Sequence, residues 1–375
     1  MENTDQFFDD FRTPTDSSLI DRYEHFSGSG ECGTDFVQQD GHARFLADPR
    51  RDRLNVWWAV IKRDATDRVL VGLLAEEGYE VRITARIRVS HAPRRVNLHV
   101  YTQHATDHHK DLMEFDIPDT TGWHTISYTT RGFHADPGDK LFFQLAMIDW
   151  GLKECRVDIQ YFTVAAVRSA EAGPDQGVQT PYHPPIKPVT DYAHHLSPAE
   201  SAVVSRLFPD QNYARWGTRE AAGWRPLLTV NPDLWTIFRW DFSAHKKKTV
   251  VGRGLLELTT HSVFTFKEAI YDFAMMRTVE ILDGEPNWEK AAVTWDTLLA
   301  GKNEDDVING QMVIDVYPAP GNGEQSFITL SEPVLQRLLD GATRGLVLRH
   351  LGSLSASFYG TEPGEQGPIL HLNLR

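Results

Sequence analysis

The sequence predicts an all-β protein: two tandem antiparallel β-sandwiches of jelly-roll type, with one or two short helices. Three observations carry this. Apolar and polar residues alternate at period two, most regularly in "EVRITARIRVS" (80–90) and "VNLHVYTQ" (96–103), the pattern of strands with one buried face. Turn chemistry such as "SHAPRR" (90–95) and "DPGDK" (136–140) punctuates these runs. Five prolines fall within "RSAEAGPDQGVQTPYHPPIKPVT" (168–190). Proline fixes φ and removes a hydrogen-bond donor, so neither a helix nor a central strand runs through such a stretch. The expected division is a sandwich over 1–168, a linker over 169–190 and a second sandwich over 191–375.

In the first half, Val81, Ile83, Ala85, Ile87 and Val89 fall on one side of a strand, with Arg82, Thr84, Arg86 and Arg88 on the other. Val96, Leu98 and Val100 oppose Asn97, His99, Tyr101 and Gln103 in the same way. Further strands are expected at "WHTISYTT", "KLFFQLAMI" and "ECRVDIQYFTV". The second half offers "WTIFRWDFS", "RGLLELTTHSV", "AMMRTVEIL", "GLVLRHLG", "ASFYGTE" and "PILHLNLR". "SEPVLQRLLDGA" (331–342) reads as a helix. Ser331 stands at its cap, Pro333 suits its first turn, Val334, Leu335, Leu338 and Leu339 form a stripe, and Gly341 ends it. "SPAESAVVSRLF" (197–208) is a second short-helix expectation.

A chain of 375 residues suits two domains. The longest apolar run, "LFFQLAMI" (141–148), falls well short of the ~20 residues a membrane helix needs. No basic-then-apolar leader follows Met1, so the chain either works in the cytosol or begins after a removed leader. A net charge of −14 disfavours general nucleic-acid binding. Cys32 and Cys155 are too few for a disulfide framework; they can pair once or lie buried as two separate thiols. The histidine pairs in "TDHHK" (106–110) and "YAHHLS" (192–197) fit surface loops, because neighbours on a strand point to opposite faces. "NEDDV" (303–307) reads as a solvated loop. There is no nucleophile elbow, phosphate loop or dinucleotide fingerprint.

If 80–90 and 96–103 form a hairpin with Val89 facing Val96, then Arg88 pairs with Asn97, Arg86 with His99, Thr84 with Tyr101 and Arg82 with Gln103. That register keeps both apolar faces buried. It would gather Arg82, Arg86, Arg88, Asn97, His99, Tyr101 and Gln103 on one wet surface. Arginine forks match carboxylates and sulfates, and a tyrosine ring stacks on sugar, so the expected ligand is an acidic polysaccharide. The same groups suit a polysaccharide lyase, with Arg86 or Arg88 neutralising a uronate carboxylate while His99 and Tyr101 move protons. Trp57, Trp58, Trp123, Trp150, Trp216, Trp224 and Trp235 are further sugar-stacking candidates. Trp288 and Trp295, in "NWEKAAVTWDTL" (287–298), are expected to pack a long loop onto the second sandwich.

Residues 195–375 resemble a DNRLRE-type domain of the carbohydrate-binding modules. The likeness lies in "PDQNYARWGT", "WTIFRWDFS", "NWEKAAVTWDTL" and "SASFYGTEPGEQGPILHLNL", in that order. The lysine turn in "DFSAHKKKTVVG" departs from it. The first half resembles, more loosely, jelly-roll carbohydrate-binding modules through "FFDDF" (7–11), "GWHTISYTTRGF" and "CRVDIQYFTVAAV". That resemblance implies a structural calcium, for which the matching residues are Asp9 or Asp10 and Asp158. Together the expectation is carbohydrate recognition. The alternatives are a glycan-cleaving lyase or hydrolase, or a cyclase or isomerase with a small-molecule pocket between domains.

Overall fold

The computed structural model describes residues 6–12, 23–28, 32–51, 58–107, 109–147, 153–180, 192–221, 223–266, 274–361 and 366–375, without the side chains of Met312 and Val313. It divides into two compact units, Met1–Tyr182 and His183–Arg375. Strands dominate both, as the period-two patterning predicts.

The first unit contains β1 (Gln6–Asp9), β2 (Tyr23–Ser27), β3 (Gly33–Gln39), β4 (His42–Asp48), β5 (Ala59–Asp64), β6 (Tyr79–Val89), β7 (Arg94–Thr102), β8 (Leu112–Ile117), β9 (His124–Thr129), β10 (Leu141–Met147), β11 (Cys155–Arg168) and β12 (Val178–Gln179). Sheet I has the order β3-β4-β11-β6-β9, with β1 also on β11; sheet II has the order β12-β8-β7-β10-β5-β2. Their inner faces meet in an aromatic core, with Phe7 of sheet I 5.0 Å and Phe162 5.2 Å, ring to ring, from Phe143 of sheet II. Phe7 and Phe11 of "FFDDF" are buried there.

The expected hairpin does not form. β6 pairs with β11 and β9, whereas β7 pairs with β8 and β10. Val89 lies opposite Val157, and Val96 lies opposite Phe115 and Met147. "SHAPRR" therefore carries the chain from one sheet to the other. The alternation identified each buried face correctly, because Val81 to Val89 and Val96 to Val100 are core residues. It could not say whether two such faces lie side by side or face each other across a core.

Residues 169–180 of the proline-rich stretch are held to the first unit. The Arg82 guanidinium donates to the Gly173 and Pro174 carbonyls, Gln176 exchanges backbone hydrogen bonds with Ser127, and β12 pairs with β8. Only two residues form this edge strand, as proline allows. Residues 181–191 lie outside the described set. Cys32 and Cys155 are both buried.

The second unit contains β13 (His194–Leu196), β14 (Glu200–Val204), β15 (Gly217–Glu220), β16 (Gly223–Val230), β17 (Trp235–Arg239), β18 (Gly254–Thr265), β19 (Ala274–Ile281), α1 (Trp295–Leu299), α2 (Glu304–Val307), β20 (Ile308–Val316), β21 (Gln325–Leu330), α3 (Glu332–Asp340), β22 (Gly345–Gly352), β23 (Leu354–Tyr359) and β24 (Ile369–Leu372). Sheet III runs β13-β24-β18-β23-β16-β15 with β21 on β18, and sheet IV runs β14-β17-β22-β19-β20. One core lies between them, around Phe238, Leu256, Leu348 and Phe358.

A second core lies on the outer side of sheet IV, where Trp288, Trp295 and Leu298 cover Trp235 and Val347. Both expected packing tryptophans are buried, and Trp295 meets Trp235 edge-on at 5.3 Å. α3 buries Val334, Leu335, Leu338 and Leu339 and ends on left-handed Gly341, although Ser331 makes no side-chain cap bond. The helix expected over 197–208 is instead β14. Ala202 and Val204 join the outer core beside Trp235, and adjacent β-branched valines favour extension. "NEDDV" forms α2, with Val307 buried, rather than a solvated loop.

Candidate functional site

Because β6 and β7 lie in opposing sheets, the seven candidate residues are split between two outer faces. On sheet I, Arg82 is committed to structure: besides its carbonyl contacts it donates to Thr129 Oγ1 and Ser127 Oγ. Arg88 donates to Asp158 at 2.8 Å and lies 5.0 Å from the Trp123 ring. Arg86 Nε has no hydrogen-bond partner among the described residues. On sheet II are Asn97, His99 and Tyr101, with Gln103 just beyond. Gln103 fastens the "DPGDK" turn, donating to Asp139 and accepting from Lys140 N. An Arg–His–Tyr proton-transfer set is therefore not assembled, and the lyase alternative loses its geometry.

The carboxylates expected to hold calcium each have other partners among the described residues. Asp158 is 1% exposed and has Arg44, Arg88 and Arg156 within 3.3 Å, with His42 at 3.6 Å. Burial pushes its pKa up, but hydrogen bonds from Arg88 and Arg44 and the charges of Arg156 and His42 bring it below the ordinary value. Asp9 shares the inward parity of its partner Phe162 and accepts a hydrogen bond from Tyr23, whereas Asp158 shares the outward parity of Arg88. Asp10 accepts a hydrogen bond from Arg12 N within its own turn. No cluster of three metal-ligating side chains occurs among the described residues.

The outer face of sheet II has a different character. Register places Glu114, Asn97, Ala146, Val60 and Phe26 in one row, then Leu112, His99, Gln144, Lys62 and Glu24 in the next. Tyr101, Phe142 and Asp64 make a third. The face is buried towards β8. There Arg95 pairs with Glu114 at 3.2 Å, and His99, 1% exposed, meets the Lys110 carbonyl through Nε2 at 3.0 Å. Towards β5 and β2 it opens. Tyr101 stacks on Phe142 (5.5 Å, 23°), and the Lys62 ammonium sits 4.7 Å from the Phe142 ring centre. Phe26 and Trp58, 40% and 43% exposed, form an edge-to-face pair at 5.7 Å. From Trp58 to Lys62 is four residues of strand, roughly 13 Å.

Tyr101 also lines a cavity of about 210 Å³ at the end of β7, together with His104, Asp107, Lys110, Asp111, Phe133 and His134. Burial, followed by the Glu24 charge, raises the Tyr101 phenol to about 12, so it is a hydroxyl donor at neutral pH and not a base. Asp111 has a left-handed backbone (φ 57°), and burial lifts its carboxyl from 3.8 to about 6 against the pull of Lys110. Sequence reasoning found Asn97, His99 and Tyr101 but missed Lys62, Gln144, Phe142, Phe26 and Asp111. "LFFQLAMI" does carry the signal for Phe142 and Gln144, as the outward positions of an alternating strand.

No family model matches the chain, and no curated protein matches it. Among solved structures it is similar to the CBM22-1 xylan-binding domain of Paenibacillus barcinonensis Xyn10C, at 13% identity over 43% of this chain and 94% of that one, with a TM-score of 0.27. It is also similar to a family 11 carbohydrate-binding module from Clostridium thermocellum, solved with a β-1,3-1,4-mixed-linked tetrasaccharide. That match has 12% identity over 43% and 95% of the two chains and a TM-score of 0.28. The CBM22-1–CBM22-2 tandem of Xyn10C covers 98% of this chain and 94% of its own, at 12% identity and a TM-score of 0.27. These likenesses are distant, and the case for function rests on this chain's own residues.

The remaining tryptophans are dispersed. Trp216 and Trp224 are partly exposed beside the β15–β16 hairpin, Trp235 is core, and Trp123 is half-buried on sheet I. Trp57 and Trp150 lie outside the described residues.

Proposed function

We propose that the first unit binds carbohydrate on the open part of the sheet II outer face, from Trp58 and Phe26 to Tyr101 and its adjoining cavity. The observation that carries this is the Tyr101–Phe142 stack, bordered by the amide, ammonium and carboxylate of Gln144, Lys62 and Glu24. Flat apolar rings cover the apolar face of a pyranose, and the polar groups around them exchange hydrogen bonds with its hydroxyls. The site sits on paired strands, which hold its groups in fixed register.

The preference for an acidic polysaccharide drew its support from three arginines that lie on the other sheet. Here Lys62 and Lys110 face Glu24, Asp64, Asp107 and Asp111, so the balance of charge favours a neutral glycan. The test is affinity electrophoresis through gels containing neutral xylan, mixed-linkage glucan or polygalacturonate. The expected result is retardation by a neutral glycan and little by polygalacturonate. Retardation by polygalacturonate alone would return the site to the arginines. An absorbance gain from unsaturated uronate ends would replace binding with cleavage.

A further inference from the structure

The second unit holds a buried guanidinium, Arg349, with no carboxylate at ion-pair distance among the described residues. Along one row of sheet IV stand Trp235, Arg349, Arg277 and Asp315; Arg277 lies directly opposite Arg349 on one side and Asp315 on the other. Arg277 is fully buried and grips Asp315 with two bonds of 2.9 and 2.7 Å. Arg206 reaches over the row to pair with Glu304 at 2.8 Å. Each of these carboxylates is thus taken by its own arginine. Arg349 is 7% exposed; its side chain makes no hydrogen bond or close ion pair among the described residues, its Nε is buried without a partner, and Glu304 and Asp315 act on it only from a longer range. Its guanidinium lies 4.7 Å from the Trp235 ring centre, and Arg206 lies 5.2 Å from the same ring.

Three guanidiniums therefore share two carboxylates. Like charges directly opposite across a ladder destabilise it, and a buried ion needs a partner to repay its lost hydration. The neighbourhood registers that field. Burial, then Arg277 and Arg206, hold the Arg349 pKa down to about 9; burial, then Arg349, Arg277 and Arg206, hold His350 down to about 4. A fold that keeps such a group either endures the penalty or meets an anion there. The Arg206 side chain, 40% exposed, forms the solvent-facing rim of this cluster, with Arg349 and Trp235 buried behind it.

We infer that Arg349 and Arg206, over the Trp235 ring, form a binding site for a carboxylate-bearing ligand on the second unit, separate from the sugar face of the first. A single excess positive charge is matched by a monoanion, and a planar carboxylate fits the guanidinium forks. The carboxylate can belong to a sugar acid or to a simple organic acid, and the probes separate them.

The experiment follows the tryptophan fluorescence of the whole chain during titration with glucuronate, acetate and glucose at constant ionic strength. Saturable quenching is expected with glucuronate, weakened about tenfold or more by Arg349→Met, and none with glucose. Equal response to acetate makes the carboxylate alone the determinant, whereas a stronger response to glucuronate adds the sugar ring. Arg206→Gln, at the exposed rim, gives the same readout should Arg349→Met not fold. Absence of saturable binding by both acids, an equal response to glucose, or affinities unchanged in the variants that fold would each overturn the inference.

Discussion

Replacing Asp111 by Asn should stabilise the first unit at neutral pH. The side chains match in shape, and Asn accepts the left-handed backbone that Asp111 adopts at φ 57°. What changes is the charge. Burial holds the folded carboxyl at about 6 against an ordinary 3.8. The folded state therefore binds the proton more tightly than the unfolded chain, and stability falls as pH rises from about 4 through 6, then levels off. At about 1.4 kcal/mol per pH unit, the penalty is about 3 kcal/mol at most. The carboxyl is only half-buried, and solvent screening reduces this to about 1 kcal/mol. Urea unfolding of Asp111→Asn at pH 4 and pH 7.5 measures it. The variant should match wild type at the lower pH and exceed it by about 1 kcal/mol at the higher, or by about 2–4 °C in Tm. Lower stability than wild type at pH 7.5, or an unchanged pH profile, would refute the reasoning.

Other outcomes follow from the same geometry. An ionised Asp111 accepts stronger hydrogen bonds than a neutral one, so calorimetric glycan affinity should rise with pH through about 6 in wild type and stay flat in Asp111→Asn. Asp158→Asn removes the anion shared by Arg44, Arg88 and Arg156 and should cost about 3 kcal/mol in denaturant unfolding near neutral pH. Because that carboxyl is held below its ordinary value, its contribution is full above about pH 4 and fades as pH falls through the lowered value. Gly345→Ala sets a Cβ against the Phe238 carbonyl oxygen between paired strands and should leave little folded second unit by near-UV circular dichroism. Leu348→Ala, fully buried between sheets III and IV, should cost about 2–5 kcal/mol in the same unfolding assay.

The buried faces were legible in the sequence, since side-chain alternation and burial are local. The strands of "EVRITARIRVS" and "GLVLRHLG" stand where the pattern puts them, and the stripe and Gly341 of α3 mark its extent. Pairing was not legible, because β6 and β7 satisfy the same pattern whether they share a sheet or face each other across a core. That single ambiguity moved three arginines to the far side of the sandwich. Likewise 197–208 carried helical spacing in isolation, and the outer core around Trp235 made it a strand. Phe26, Lys62, Phe142 and Asp111 come from four separate segments, so their proximity is a property of topology that no single window contains.

Calorimetric titration of the whole chain with a neutral xylo- or gluco-oligosaccharide, repeated for Trp58→Ala, Tyr101→Ala and Arg86→Ala, tests the sheet II site most directly. Each lost ring should remove about 1–2 kcal/mol, a weakening of roughly 5- to 30-fold, while Arg86→Ala on sheet I binds as wild type does. Undiminished affinity in both aromatic variants, or a loss confined to Arg86→Ala, would contradict it.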